Sequence, residues 1–172
     1  TRLVSLLRQH MANTPFELLL LDNFYPAGDE QVLIYEATGR SVPPQGLPRS
    51  VGCLVSNVGS LVAIAEAVEG LPVTRRTLTV TGGVAHPRVF TVPIGTSVTE
   101  CIAHAGGSVL ADPVVILGGP MMGTVLDTPE ALEAAVVTKT LGGIILLPSG
   151  HHLHKASQQR PEVMRRRAAA AA

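Results

Sequence analysis

At Gly70-Leu71-Pro72 the apolar residues of this chain change their period, and a chain that does so builds two modules of different construction. Upstream they recur at helical spacing or in short unbroken runs; downstream of Val73 they alternate. A spacing of 3.6 puts apolar groups along one stripe of a helix, and a spacing of two puts them on one face of a strand, so one element cannot satisfy both. The expected organisation is an α/β module over residues 1–72, a small α+β module over 73–150 and a polar linker over 151–172.

In the first module Leu3, Leu6, Leu7 and Met11 predict a helix over residues 1–12. Residues 16–21 (FELLLL) read as a buried, parallel-type strand that ends at the turn-rich loop 22–28, DNFYPAG. Asp29 is placed to cap a helix from Glu30 to about Thr38, which Gly39 closes. Residues 41–50, with three prolines, predict an extended surface loop, and residues 51–55 a second short strand. Ser56 or Asn57 then caps a helix over 58–68, with Val58, Leu61, Val62, Ala65 and Val68 on one face. Each strand–loop–helix step aims backbone N–H groups at the carboxyl end of a strand, where open α/β sheets bind ligands.

The second module opens with alternation over 76–81, Leu78 and Val80 on one face, then Gly82-Gly83, then alternation over 88–92: a hairpin. Ser97 and Glu100 form an S-x-x-E capping box for a helix over 98–105 that Gly106-Gly107 terminates. Strands follow at 114–117 and within 138–147, separated by the tight loop 118–123, GGPMMG. Thr128-Pro129-Glu130 opens a short helix through Ala135. Two strands, a helix and two strands make a β-grasp-like module, one helix packed on a mixed sheet.

Composition removes several function classes. The net charge is zero and there is no Trp, with only two Tyr and three Phe, so neither a charged nor a stacking surface for nucleic acid is expected. No apolar run approaches the ~20 residues of a membrane span. Cys53 and Cys101 lack the spacing that holds zinc or a cluster and read as buried free thiols of a reducing, cytoplasmic compartment. His151, His152 and His154 read as linker rather than metal ligands, His86 as a turn residue, and the run 165–167 as a solvated tail. The chain starts on helical pattern without a cap and ends in five alanines, 168–172, to which no chemistry is assigned. Hydrolase and kinase motifs do not occur.

Three stretches exceed ordinary fold grammar: 22–30 (DNFYPAGDE), 55–67 (VSNVGSLVAIAEA), and 77–95 (TLTVTGGVAHPRVFTVPIG) with GGPMMG at 118–123. In this order, with VTKTLGGIILLP at 137–148, the chain resembles the flavin- and iron–sulfur-containing group that includes the C-type component of the Rnf electron-transport complex (RnfC-like) and the cobalamin reductases of propanediol-utilising microcompartments. The resemblance covers roughly residues 16–150, and YPAGDE, PVTRRTLTV and VTKT lean toward the cobalamin reductases.

That resemblance implies the C-terminal part of a domain for flavin mononucleotide (FMN) over 1–72, a soluble-ligand-binding β-grasp (SLBB) domain over 73–150, and a linker over 151–172 toward a domain with two 4Fe-4S clusters. It implies electron flow from NADH through FMN and the clusters to a corrinoid. Cobalamin or a corrinoid-handling protein, and a microcompartment shell protein, are then the expected partners, inside the microcompartment or at its shell. The chain by itself is expected to be inactive. An Rnf-type or other microcompartment-associated electron carrier, acting on ferredoxin or a quinone-like partner, is the second reading, and a ligand-binding or docking module without redox chemistry the third.

Gly28, Asp29 and Glu30 match the loop that lies along FMN in the family: a glycine permits close approach and carboxylates accept from ribityl hydroxyls. The plainer reading makes Asp29 a cap and Glu30 a partner of the helix dipole. Ser56, Asn57 and Ser60 match a helix opening that meets flavin phosphate or ribityl, although the related flavin-carrying proteins of complex I have Asn and Thr in place of Ser56 and Ser60. Lys139 could neutralise a phosphate or be an ordinary surface lysine; the methionines of GGPMMG read as packing. Neither a catalytic side chain nor a metal ligand is assigned.

Overall fold

The structure, a computed structural model, describes residues 2–120, 123–126 and 128–154. They belong to two compact units that divide between residues 61 and 62.

The N-terminal unit contains helix α1 (Arg2–Met11), helix α2 (Glu30–Thr38), a 3-10 turn (Pro48–Val51) and the start of helix α3 (Val58–Val68). Asp29 caps α2: its Oδ1 accepts from the amides of Gln31 and Val32 at 2.9 and 3.4 Å. Gly39 ends the helix at φ 68°, donating its amide to the Tyr35 carbonyl. Arg40 then donates through Nη1 to the Val51 carbonyl at 2.8 Å, which fastens the chain beyond α2 to the 3-10 turn.

Two strand expectations fail here. Residues 16–21 form no strand, and Phe16, Leu19 and Leu20 are exposed. Residues 51–55 form none either; Val51 closes the 3-10 turn and Gly52 turns the chain at φ 74°. A strand needs a lateral ladder for its amides and carbonyls, and every strand of the described residues pairs within the sheet of the other unit. Ile34 is the only apolar side chain of this unit buried below a tenth, among the described residues. Cys53, expected to be buried, is half-exposed.

The second unit is a mixed five-stranded sheet of order β2-β1-β5-β3-β4, built from β1 (Arg75–Gly82), β2 (Arg88–Pro93), β3 (Pro113–Leu117), β4 (Thr124–Leu126) and β5 (Gly143–Pro148). The β1–β2 hairpin is antiparallel, β1 and β5 run parallel, and β3 lies antiparallel to both β5 and β4. Helix α4 (Val98–His104) carries the expected capping box. Helix α5 (Pro129–Ala134) is capped by Thr128 Oγ1, which accepts from Ala131 at 3.2 Å. The β-grasp expectation holds, with the short strand β4 added.

The core lies between this sheet and α4. Leu78 and Val80 of β1, Ile144 and Leu146 of β5, and Val98 and Cys101 of α4 are all at most 1% exposed. Alternation explains β1 and β5, whereas Val114, Val115 and Ile116 of β3 are buried in succession, as in a strand covered on both faces. Val137, fully buried, seals the N-terminal end of α4: its amide bonds the Thr96 carbonyl at 2.8 Å, and the Val98 amide bonds the Ala135 carbonyl at 2.9 Å. Gly82, at φ 85°, lies where a Cβ would strike the Leu146 carbonyl oxygen, so β1 and β5 meet there only with glycine. The Arg run at 165–167 and the alanines at 168–172 lie outside the described residues.

Candidate functional site

The loop before α2 is built by successive backbone turns. Ala27 donates to the Phe24 carbonyl at 3.0 Å and Asp29 to the Pro26 carbonyl at 2.8 Å, around a cis Tyr25–Pro26 bond. These turns deliver Gly28, Asp29 and Glu30 together at the N-terminus of α2. Both capping bonds of Asp29 end on Oδ1, so Oδ2 accepts neither of them and Asp29 can cap and bind at once. Glu30 is exposed. Gly28 is not among the residues with positive φ, and a Cβ built on it meets nothing within 4 Å. Neither backbone conformation nor packing within the chain requires glycine there, which leaves room for a ligand against the main chain.

Ser56, Asn57 and Ser60 surround the first turn of α3, all exposed. Asn57 is the cap: its Oδ1 accepts from the Gly59 amide at 2.8 Å, and its carbonyl accepts from Ser60 and Leu61. The capping bond uses Oδ1 and leaves Nδ2, a donor, out of the cap. The structure therefore forms two local sets, 28–30 and 56–60, both in the N-terminal unit; among the described residues no hydrogen bond or ion pair joins them. As a donor set, carboxylates, hydroxyls and an amide beside helix N-termini suit a polyol and a phosphate, the polar half of FMN.

Other residues singled out from sequence belong to the second unit. Lys139 is exposed in the turn closed by the Leu141 amide and the Thr138 carbonyl. His86 is held by its backbone, donating to the Ala105 carbonyl at 2.8 Å. In the glycine-rich loop, Gly118 donates to the Gly143 carbonyl and Gly123 to the Gly119 carbonyl; Met121 and Met122 lie outside the described residues. No cluster of three or more His, Cys, Asp or Glu suited to a metal occurs among the described residues. Burial, and then the neighbouring Glu100 carboxylate, raise the Cys101 thiol above its ordinary pKa. Sequence reasoning missed a groove of about 580 Å³ between β2 and α4, lined among others by Phe90, Val92, Glu100 and His104. Its walls come from two elements that were both expected, but their juxtaposition required the strand order.

Residues 1–66 match the Nuo51 FMN-binding domain and residues 77–125 the SLBB domain. The chain joins a Nuo51-type FMN-binding segment to an SLBB domain. Over 146 residues, 83% of its length, it is 52% identical to the cobalamin reductase PduS of Citrobacter freundii, and equally to that of Salmonella typhimurium. Over 122 residues, 70% of its length, it is 39% identical to the C-type component of a proton-translocating ferredoxin:NAD(+) oxidoreductase complex of Clostridium ljungdahlii. It spans 31% of the length of the two PduS proteins and 27% of the third relative. Among the described residues no helix is long and apolar enough to cross a membrane.

Proposed function

We propose that this chain supplies flavin contacts and the SLBB domain of an electron-transfer oxidoreductase with NADH as donor and a corrinoid as acceptor. The observation that carries the reading is Gly28, a glycine that the chain itself does not need, beside an Asp29 with one carboxylate oxygen outside its cap. In this reading the Gly28 backbone lies against FMN, Asp29 Oδ2 and the Glu30 carboxylate accept from ribityl hydroxyls, and Asn57 Nδ2 with the Ser56 and Ser60 hydroxyls donates to phosphate or ribityl. FMN, when bound, supplies the exchange between a two-electron donor and one-electron carriers.

With Cys53 and Cys101 its only cysteines, this chain does not furnish a four-cysteine cluster site. The 4Fe-4S clusters are therefore assigned to cysteines elsewhere in the full-length polypeptide. The corrinoid acceptor, and the setting inside or at the shell of a microcompartment, come from the likeness to cobalamin reductases. The 39% identical relative supports a second reading, an Rnf-type component passing electrons to or from ferredoxin.

The test is an anaerobic visible spectrum of the full-length polypeptide before and after NADH. Flavin and cluster bands that bleach on NADH, and return with cob(III)alamin, are expected. Return with ferredoxin and not with cob(III)alamin would favour the second reading. A colourless protein after reconstitution would overturn both and leave a non-redox binding module.

A further inference from the structure

The groove between β2 and α4 lies wholly within the second unit and takes no part in the flavin reading. Among the described residues β2 is an edge strand, paired on one side only, with β1. Which of its main-chain groups face outward follows from the ladder. Ile94 donates to the Thr74 carbonyl at 2.9 Å, and Thr79 donates away from β2, to the Gly142 carbonyl at 3.1 Å. With Thr79 opposite Val89 and Thr77 opposite Thr91, these are the non-hydrogen-bonded pairs, and the N–H and C=O of Val89 and Thr91 point off the sheet edge. The Thr91 carbonyl already accepts there from Arg75 Nη2, at 3.4 Å and exposed. Pro93 falls on the same outward parity, where a missing N–H costs the ladder nothing.

The groove runs beside that edge. Phe90 and Val92 form one wall and Cys101, Ala103 and His104 the other, with the His104 ring edge-on to Phe90 at 5.7 Å. Its one Asp, Glu, Lys or Arg is Glu100. Both hydrogen bonds of the Glu100 carboxylate, from Ser97 N and Oγ, end on Oε2, so Oε1 is uncommitted to the cap. A strand edge whose outward groups, the Thr91 carbonyl apart, have no partner among the described residues, an apolar trough beside it and a rim carboxylate in no ion pair among the described residues are together complementary to one kind of occupant. We propose that β2 and α4 form a docking site for an extended segment of a partner protein, added as a strand to β2, with alternate apolar side chains in the trough and a Lys or Arg against Glu100. This goes beyond the flavin reading and does not depend on it.

The probe is a blocked, fluorescein-labelled heptapeptide of alternating valine and threonine with a lysine at each end, titrated with the full 172-residue chain and read by anisotropy. Saturable binding is expected, weakened about 10-fold or more when the peptide amides facing β2 are N-methylated, because two main-chain hydrogen bonds are lost. Val89→Pro removes an outward donor without touching the β1–β2 ladder and is expected to weaken binding similarly. Should that variant fail to fold, the N-methylated peptide against the unaltered chain carries the test. Glu100→Gln keeps the capping box and is expected to abolish the preference for lysine-ended over glutamate-ended peptide. Absence of binding up to about 1 mM, equal binding of the N-methylated peptide, displacement by cyanocobalamin, or competition from self-association of the chain would each overturn the proposal.

Discussion

Asn57→Asp separates the cap that the structure shows at this position from the flavin contact proposed for it. In the structure Asn57 Oδ1 stands 2.8 Å from the Gly59 amide, a bond that aspartate makes equally well. Asn57→Ala removes that cap, at a cost of about 1 kcal/mol, so a loss of flavin in that variant could follow from a frayed helix. Asn57→Asp keeps the cap and adds about 0.3–1 kcal/mol of favourable charge–dipole interaction at the start of α3. Toward a ligand the same change is adverse twice over: the Nδ2 donor disappears, and a negative charge arrives where a phosphate would dock. At a separation near 4 Å, two like charges repel by about 1 kcal/mol in bulk water and about 4 kcal/mol near a protein surface. The midpoint of that range corresponds to well over a tenfold loss of affinity. The measurement is flavin retained through gel filtration by the full-length polypeptide, beside the far-UV circular dichroism of the 172-residue chain. Unchanged helicity with lost flavin is expected. Flavin occupancy equal to the unaltered protein would refute the assignment and leave Asn57 as a cap alone.

Gly28→Ala has open space for its methyl group and no positive φ to sustain; it is expected to leave stability unchanged or raise it by about 0.4–1 kcal/mol, through the unfolded chain, while weakening FMN retention in the full-length polypeptide. Gly82→Ala is its opposite: the methyl group meets the Leu146 carbonyl at φ 85°, and the strain of that conformation alone, about 1–2 kcal/mol, should lower the melting midpoint by about 2–8 °C. A thiol reagent should label half-exposed Cys53 first and buried Cys101 only on unfolding, as peptide mapping after timed alkylation would check. Because the folded Cys101 thiol has a raised pKa, its contribution to stability is fully present below the ordinary thiol range and is lost as pH rises through the folded value. Melting midpoints should therefore fall more steeply with pH above about 8.5 in the unaltered chain than in Cys101→Ala.

Local signals were legible from sequence because their partners lie within a few residues. Asp29 and Gly39 bracket α2, and Ser97 with Glu100 opens α4, each through bonds spanning two to four positions. The alternation of Leu78 and Val80 located β1 because both faces of a half-covered sheet leave their mark on sequence. Runs such as 16–21 carry no such signature. An apolar run states that a segment is to be covered, not by what, and without an adjacent strand these residues have no ladder to join. β4 is three residues long and follows a glycine-rich loop, too short for alternation to register. The candidate flavin residues were named through family motifs; the structure contributes the reasons that Asp29 and Asn57 can serve as caps and ligands together. The β2–α4 groove could not be read in advance, since it depends on β5 pairing with β1 and so leaving β2 at the edge.

The apolar core and the candidate flavin residues belong to different units of this chain. The large apolar cluster, from Leu78 to Leu146, belongs to the second unit, whereas the first buries only Ile34 to a comparable degree among its described residues. A core substitution such as Leu78→Ala, which typically costs about 2–5 kcal/mol, acts on the sheet. Substitutions at Gly28, Asp29 or Asn57 act on exposed or partly buried helix ends of the first unit. Effects at sites without shared partners add. By the same reasoning, the 28–30 and 56–60 sets should be additive as far as the chain alone couples them, and a ligand contacted by both would appear as non-additivity between Gly28→Ala and Asn57→Asp. That coupling, measured on flavin retention, is the physical content of calling two separate helix openings one site.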